Sequence, residues 1–225
     1  MPPRTAAPQL GIPGVPAAEP PPLTLGIDEA GRGPILGPMV LAAVALDTRG
    51  ARTLTRAGLA DSKKFTGPDA KTRRAELAAM VRVHARFIAL QVVEPAEIDA
   101  RVANGELNVL ERERARAMLL VAPACKRIYA DGKTLFNSLR EEFPALRAYD
   151  RGESRHAAVA AASIVAKVER DRLYAILCER WRADFGEITG GGYLNAGTRA
   201  FLRAYRARHG CLPPEARLSW SVQLD

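Results

Sequence analysis

The run MVLAAVALD at residues 39–47 carries eight apolar residues before its first charge and no polar alternation. It is too short to span a membrane and lacks the period-2 pattern of a strand with one wet face, so it reads as a strand buried in a sheet. The earlier run TLGIDEAG is of the same kind, and the turn-rich GRGPILGP lies between them. The two are therefore expected to be neighbouring strands of one mostly buried sheet.

The rest of the chain supplies helices and further strands. Residues 69–86 place Leu77, Met80, Val81 and His84 on one helical face, and FIALQVV at 87–93 returns as a third strand. EPAEIDARVA and ELNVLERERARAMLLV read as two helices, the first opened by Pro95. KRIYADG at 126–132 is predicted to be a strand ending on Asp131, and LRAYDRG a short fifth. Residues 154–186 form one long helix whose first half, almost all Ala, Val and Ser, can approach a sheet closely. TRAFLRAYRARHG is a last helix, stopped by Gly210. This order predicts an α/β or α+β fold around one mixed sheet. Residues 1–22, dense in Pro, Ala and Gly, are expected to be a disordered or polyproline-like tail, leaving residues 23–225 as one domain.

With 33 Lys and Arg against 25 Asp and Glu, the chain carries a net charge of +8, which favours a polyanionic partner. An Arg- and Ala-rich surface with no such partner would have the same charge. Cys125, Cys178 and Cys211 are odd in number and form no C-x-x-C pair, so neither a disulfide framework nor a zinc knuckle is expected. No stretch of 18 apolar residues occurs, and the N-terminus lacks an apolar signal core; a cytoplasmic protein without membrane contact is expected.

Residues 26–34, GIDEAGRGP, put two acids at the end of a buried strand of this basic chain. A dinucleotide cradle is disfavoured: the glycine spacing is G-x-G-x-x-x-G, Pro34 removes an N–H donor, and Asp28 and Glu29 stand where a pyrophosphate needs positive potential. Paired carboxylates suit a hard divalent cation such as Mg²⁺ or Mn²⁺. Successive strand side chains point to opposite faces, so both acids reach one centre only if the strand ends at Glu29, letting its carboxylate or carbonyl swing toward the site that Asp28 faces.

GIDEAGRGPILGP, LADSKKF, YADGK and AVAAASIVAKVERDR, in this order, closely resemble ribonuclease HII, the type 2 ribonuclease H; GGGY, GTRAFLRAY and LPPEARLSW extend the match. The likeness covers about residues 23–222 and is nearest the archaeal-like branch. It implies an RNase H-like fold, a five-stranded mixed sheet flanked by helices with a helical C-terminal part. It also implies an endoribonuclease, acting as a monomer. Such an enzyme cleaves the RNA strand of RNA/DNA hybrids and nicks duplex DNA 5′ of single embedded ribonucleotides, leaving 3′-hydroxyl and 5′-phosphate ends. Two divalent ions, Mn²⁺ or Mg²⁺, would be held by Asp28, Glu29, Asp131 and a fourth acid.

Where the family usually has Asp in that fourth position this chain has Glu153, with Asp150 as a less well aligned alternative. A Glu reaches roughly 1.3 Å further than an Asp. The resemblance assigns the ribose 2′-hydroxyl to Gly31, Arg32 and Gly33, largely through their backbone, and the sugar at the RNA-to-DNA junction to Tyr193. Lys63 and Lys64 would contact phosphates of the cleaved strand, and Lys167 the DNA strand. Gln223 lies too near the end of the sequence for a Q-x-x-L-x-x-F sliding-clamp peptide. The alternative function is a nucleic-acid-binding module whose catalysis is impaired by the Glu at position 153.

Overall fold

The computed structural model describes residues 21–59, 65, 67 and 69–220. In chain order its elements are β1 (Thr24–Ala30), β2 (Met39–Leu46), α1 (Thr48–Arg56), α2 (Ala70–His84), β3 (Phe87–Val93), α3 (Pro95–Val102), α4 (Leu107–Leu120), β4 (Arg127–Asp131), α5 (Lys133–Phe136), β5 (Leu146–Tyr149), α6 (Ala157–Phe185) and α7 (Ala196–His209). The tail expected over residues 1–22 falls almost wholly on residues 1–20, outside those described.

Every residue of β2 is buried, because helices cover both of its faces. Val40, Ala42, Val44 and Leu46 pack with the alanines of α6 and with α1 and α2. Met39, Leu41, Ala43 and Ala45 pack with Ile98 of α3 and Leu110 and Met118 of α4. β2 pairs antiparallel with β1 and β3, while β1 pairs parallel with β4, and β4 with β5. The sheet order is β3-β2-β1-β4-β5. Five mixed strands between helical layers make this an α/β protein. A third cluster, around Ile35, Leu36, Tyr174, Leu177, Phe201 and Tyr205, roots the C-terminal helical part against the second half of α6.

The small residues early in α6 let its backbone rest directly on β1. A Cβ placed on Gly26 would lie 2.1 Å from the Ala158 carbonyl carbon and 2.2 Å from the Val159 nitrogen. Both obstacles are backbone, so no rotamer change relieves them. Gly26→Ala should therefore lose about 3 kcal/mol or more of stability, read by thermal unfolding; a variant as stable as the parent would show that α6 can lift off the sheet.

One sequence expectation changes, and one helix appears that the sequence did not announce. The run at 39–47 stops being strand at Leu46: Asp47 caps α1, accepting the Gly50 N–H at 2.7 Å and pairing with Arg86 at 2.8 Å. α1 itself, TRGARTLTR, has only Gly50 and Leu54 buried and no apolar stripe to announce it; its cap and its docking make it. Among the described residues no helix is long and apolar enough to cross a membrane, and the three cysteines are unpaired.

Candidate active site

β1 and β4 run parallel with Ile27 beside Ala130, which brings the next residue of each strand, Asp28 and Asp131, to the same end of the sheet. The third acid arrives by a loop. After β5 the chain passes through Arg151, which adopts a left-handed φ of 59°, and the Gly152 N–H donates to the Asp131 Oδ1 at 3.0 Å. Such a conformation costs a non-glycine residue of order 1 kcal/mol or more and persists only where its surroundings impose it. Here it turns Glu153 inward. One carboxylate oxygen from each of Asp28, Asp131 and Glu153 lies within 4.8 Å of the others. Asp150 goes elsewhere: it is exposed, and its Oδ1 accepts the Lys133 N–H at 3.0 Å at the start of α5.

Glu29 is not part of that three-oxygen group. The strand does not end at Glu29, as sharing a centre with Asp28 required; it continues through Ala30, paired with Val40. The pleat therefore holds, and the two acids face opposite ways. Asp28 stands opposite Ala42 on the α6 side, where Ser163 hydrogen-bonds it; Glu29 stands opposite Leu41 on the α4 side, near Glu111 and Arg32. Both nevertheless border one cavity of about 450 Å³, together with Asp131, Ser163 and Lys167.

Charge is crowded here. Burial above all, then Glu29 and Asp131, push the Asp28 carboxyl up to about 8 against the hydrogen bond from Ser163. Burial, then Glu111, push Glu29 up to about 7, with Arg32 opposing. Fully buried Glu111 is likewise pushed up to about 7 by burial, with Arg32 opposing. Clustered oxygens that resist ionisation match a site completed by cations: the donors are all hard carboxylates, which suits Mg²⁺ or Mn²⁺ and not a soft metal.

The Gly31-Arg32-Gly33 loop forms another wall of the cavity, with Tyr193, which is 56% exposed. Gly31 has φ +82°, and a Cβ there would come 2.8 Å from the Pro38 carbonyl oxygen, so glycine is required. A Cβ on Gly33 would meet only the Tyr193 ring, at 3.6 Å. The two loops are joined: the Gly192 carbonyl accepts the N–H groups of Ile35 and Leu36 at 2.8 and 3.1 Å. Lys167 lines the cavity 3.9 Å from Asp171. Lys63 and Lys64 lie outside the described residues.

Several residues at this site went unmarked by sequence. Glu111 and Asn108 are two of them: Glu111 lies 3.0 Å from the Arg32 Nε, and the Asn108 Oδ1 accepts from the Arg32 Nη2 at 2.6 Å. Arg74 of α2 also lines the cavity. Two buried arginines brace the loops. Arg170 donates to the Gly191 carbonyl at 2.6 Å; Arg217 donates to the carbonyls of Gly31 at 2.5 Å, Arg32 at 2.7 Å and Gly37 at 2.9 Å. Glu111 and Asn108 sat within what read as an ordinary charged helix, and Arg217 within LPPEARLSW; a buried arginine in an irregular segment leaves no periodic signal.

The chain is similar to known proteins in both sequence and fold. Residues 25–223 match the family model described as Ribonuclease HII. The chain is 37% identical over 208 residues to the Ribonuclease HII of Thermococcus onnurineus, covering 88% of this chain and 86% of that protein. It superposes on the crystal structure of ribonuclease H2 from Pyrococcus horikoshii OT3 with TM-score 0.76 at 29% identity, covering 88% of this chain and 94% of that one. RNase HII from Archaeoglobus fulgidus, solved in a PCNA:RNase HII complex, gives 0.74 at 32% identity, covering 89% and 96%.

Proposed function

The chain belongs to the ribonuclease HII family, and from that premise we propose that it hydrolyses the RNA strand of RNA/DNA hybrids and nicks duplex DNA 5′ of single embedded ribonucleotides. The observation that carries this reading is the meeting of Asp28, Asp131 and Glu153 oxygens within 4.8 Å of one another, beside a glycine loop open to the same cavity.

In this reading Asp28, Asp131 and Glu153 would hold one divalent ion, Mg²⁺ or Mn²⁺, and Glu29, which borders the same cavity from the other face of β1, would serve a second. When bound, such ions acidify an attacking water and stabilise the departing 3′-oxygen, giving 3′-hydroxyl and 5′-phosphate ends. The protein's own groups do the rest. Ser163 holds Asp28 by a hydrogen bond. The Gly152 N–H fixes the Asp131 carboxylate. The loop of Gly31, Arg32 and Gly33 tests the sugar for a 2′-hydroxyl, the group that distinguishes RNA from DNA at a given position, and Tyr193 packs on the junction sugar. Lys167, Lys63 and Lys64 position phosphates without reading bases, so cleavage should be nearly sequence-independent and salt-sensitive.

The test is a labelled DNA duplex with one ribonucleotide, incubated with Mg²⁺ or Mn²⁺ beside an RNA/DNA hybrid and an all-DNA control. A single nick 5′ of the ribonucleotide, cleavage of the hybrid and an intact control are expected. Retained binding with no cleavage under either ion would mark an impaired binding module instead; cutting of the all-DNA duplex would remove the role given to the loop.

A further inference from the structure

Arg217 is fully buried although it carries a charge, and its side chain makes no ion pair among the described residues. Its guanidinium instead donates to the carbonyls of Gly31, Arg32 and Gly37, and its backbone N–H donates to the Ile35 carbonyl at 2.8 Å. The Trp220 ring lies 5.2 Å from the guanidinium. The next two residues are also fixed: the Asp99 carboxylate of α3 accepts the N–H groups of Leu218 and Ser219 at 2.8 and 2.9 Å.

The consequence for the loop follows from peptide geometry. No peptide bond here is cis, and a trans peptide points its C=O and N–H in opposite directions. Carbonyls of Gly31 and Arg32 drawn inward by Arg217 therefore turn the N–H groups of Arg32 and Gly33 outward. Neither N–H meets an acceptor among the described residues, and both residues border the cavity.

We infer that Arg217 is the positioning residue for RNA recognition: by holding two loop carbonyls it presents the Arg32 and Gly33 amides as donors to the ribose 2′-hydroxyl. This rests on the loop's proposed role in sensing that hydroxyl. Arginine suits the task because its planar fork reaches several carbonyls at once, whereas a lysine ammonium acts as one point.

The experiment uses the full chain with Ca²⁺ as a non-cleaving ion and measures affinity for a DNA duplex with one ribonucleotide and for its all-DNA twin. In Arg217→Lys the ribonucleotide preference should fall by about tenfold, the scale of one or two lost hydrogen bonds, while all-DNA affinity stays near the parent's in a variant that unfolds at a lower temperature but is folded under the assay conditions. An unchanged preference in the folded variant overturns the inference, as does an equal fall in both affinities. Gly33→Ala separates the two levels: if it too leaves the preference intact, the loop's role itself fails; if it alone lowers the preference, only the part given to Arg217 does. Should Arg217→Lys not fold, Asp99→Ala decides, because it loosens the same segment from outside. A selective fall in preference supports the inference and an unchanged preference overturns it.

Discussion

Asp28→Asn is expected to lower cleavage by about 10³-fold or more while making the metal-free protein more stable. The activity loss follows from removing the most buried of the three convergent carboxylates; an amide keeps the shape but neither the charge nor the full ligand capacity. The stability gain follows from the same burial. A carboxyl raised from 3.8 to about 8 binds its proton more tightly in the folded state. Its favourable contribution is complete below the unfolded value and is lost as pH rises toward 8. Metal-free parent protein should therefore lose stability steadily between about pH 4 and pH 8, at up to about 1.4 kcal/mol for each pH step over which the folded form alone keeps the proton.

The Asn variant should show a flatter profile, though not a level one, because Glu29 and Glu111, both raised to about 7, act with the same sign. Mn²⁺ should raise the unfolding temperature of the parent at pH 8 by more than that of the variant. A variant that still cleaves, or that is less stable than the parent at pH 8 without metal, would contradict this account of the site.

The second large effect separates Glu153 from Asp150. Glu153→Gln should reduce turnover by about 10² to 10³-fold, whereas Asp150→Asn should stay within about threefold of the parent, because an Asn oxygen can still accept the Lys133 N–H. Measuring both on one single-ribonucleotide substrate removes differences in binding register. Near-full activity in Glu153→Gln with an inactive Asp150→Asn would transfer the role to the earlier acid. Glu153→Asp is informative in the same assay. The Glu backbone is set by the Gly152–Asp131 hydrogen bond, so a side chain shorter by one methylene should lose activity instead of recovering it.

Much of this was legible in sequence because it rests on local patterns. Short, mostly apolar runs marked β1, β2 and β3, and acids at or near strand ends marked Asp28 and Asp131. The Ala-rich start of α6 announced a close approach to the sheet, which Gly26 realises. The family likeness, not periodicity, singled out Glu153. What sequence concealed depends on contacts between distant segments. α1 shows no stripe because a capping aspartate and docking hold it. The strand's persistence to Ala30 is set by its partner Val40, so the opposite facing of Glu29 could not be read from GIDEAG alone. The pairing of Arg32 with Glu111 spans two elements that carry no common motif.

The bond from Arg217 to the Gly31 carbonyl spans 186 positions of chain. On a ribosome moving at about 5 to 20 residues per second, the loop waits roughly 10 to 40 s for the residue that shapes it. Until then a nascent chain that already holds Asp28 has no braced loop beside it. The loop is thus made 186 positions before the residue that braces it, so a chain cut short before Arg217 would carry the convergent acids without the shaped loop that faces them.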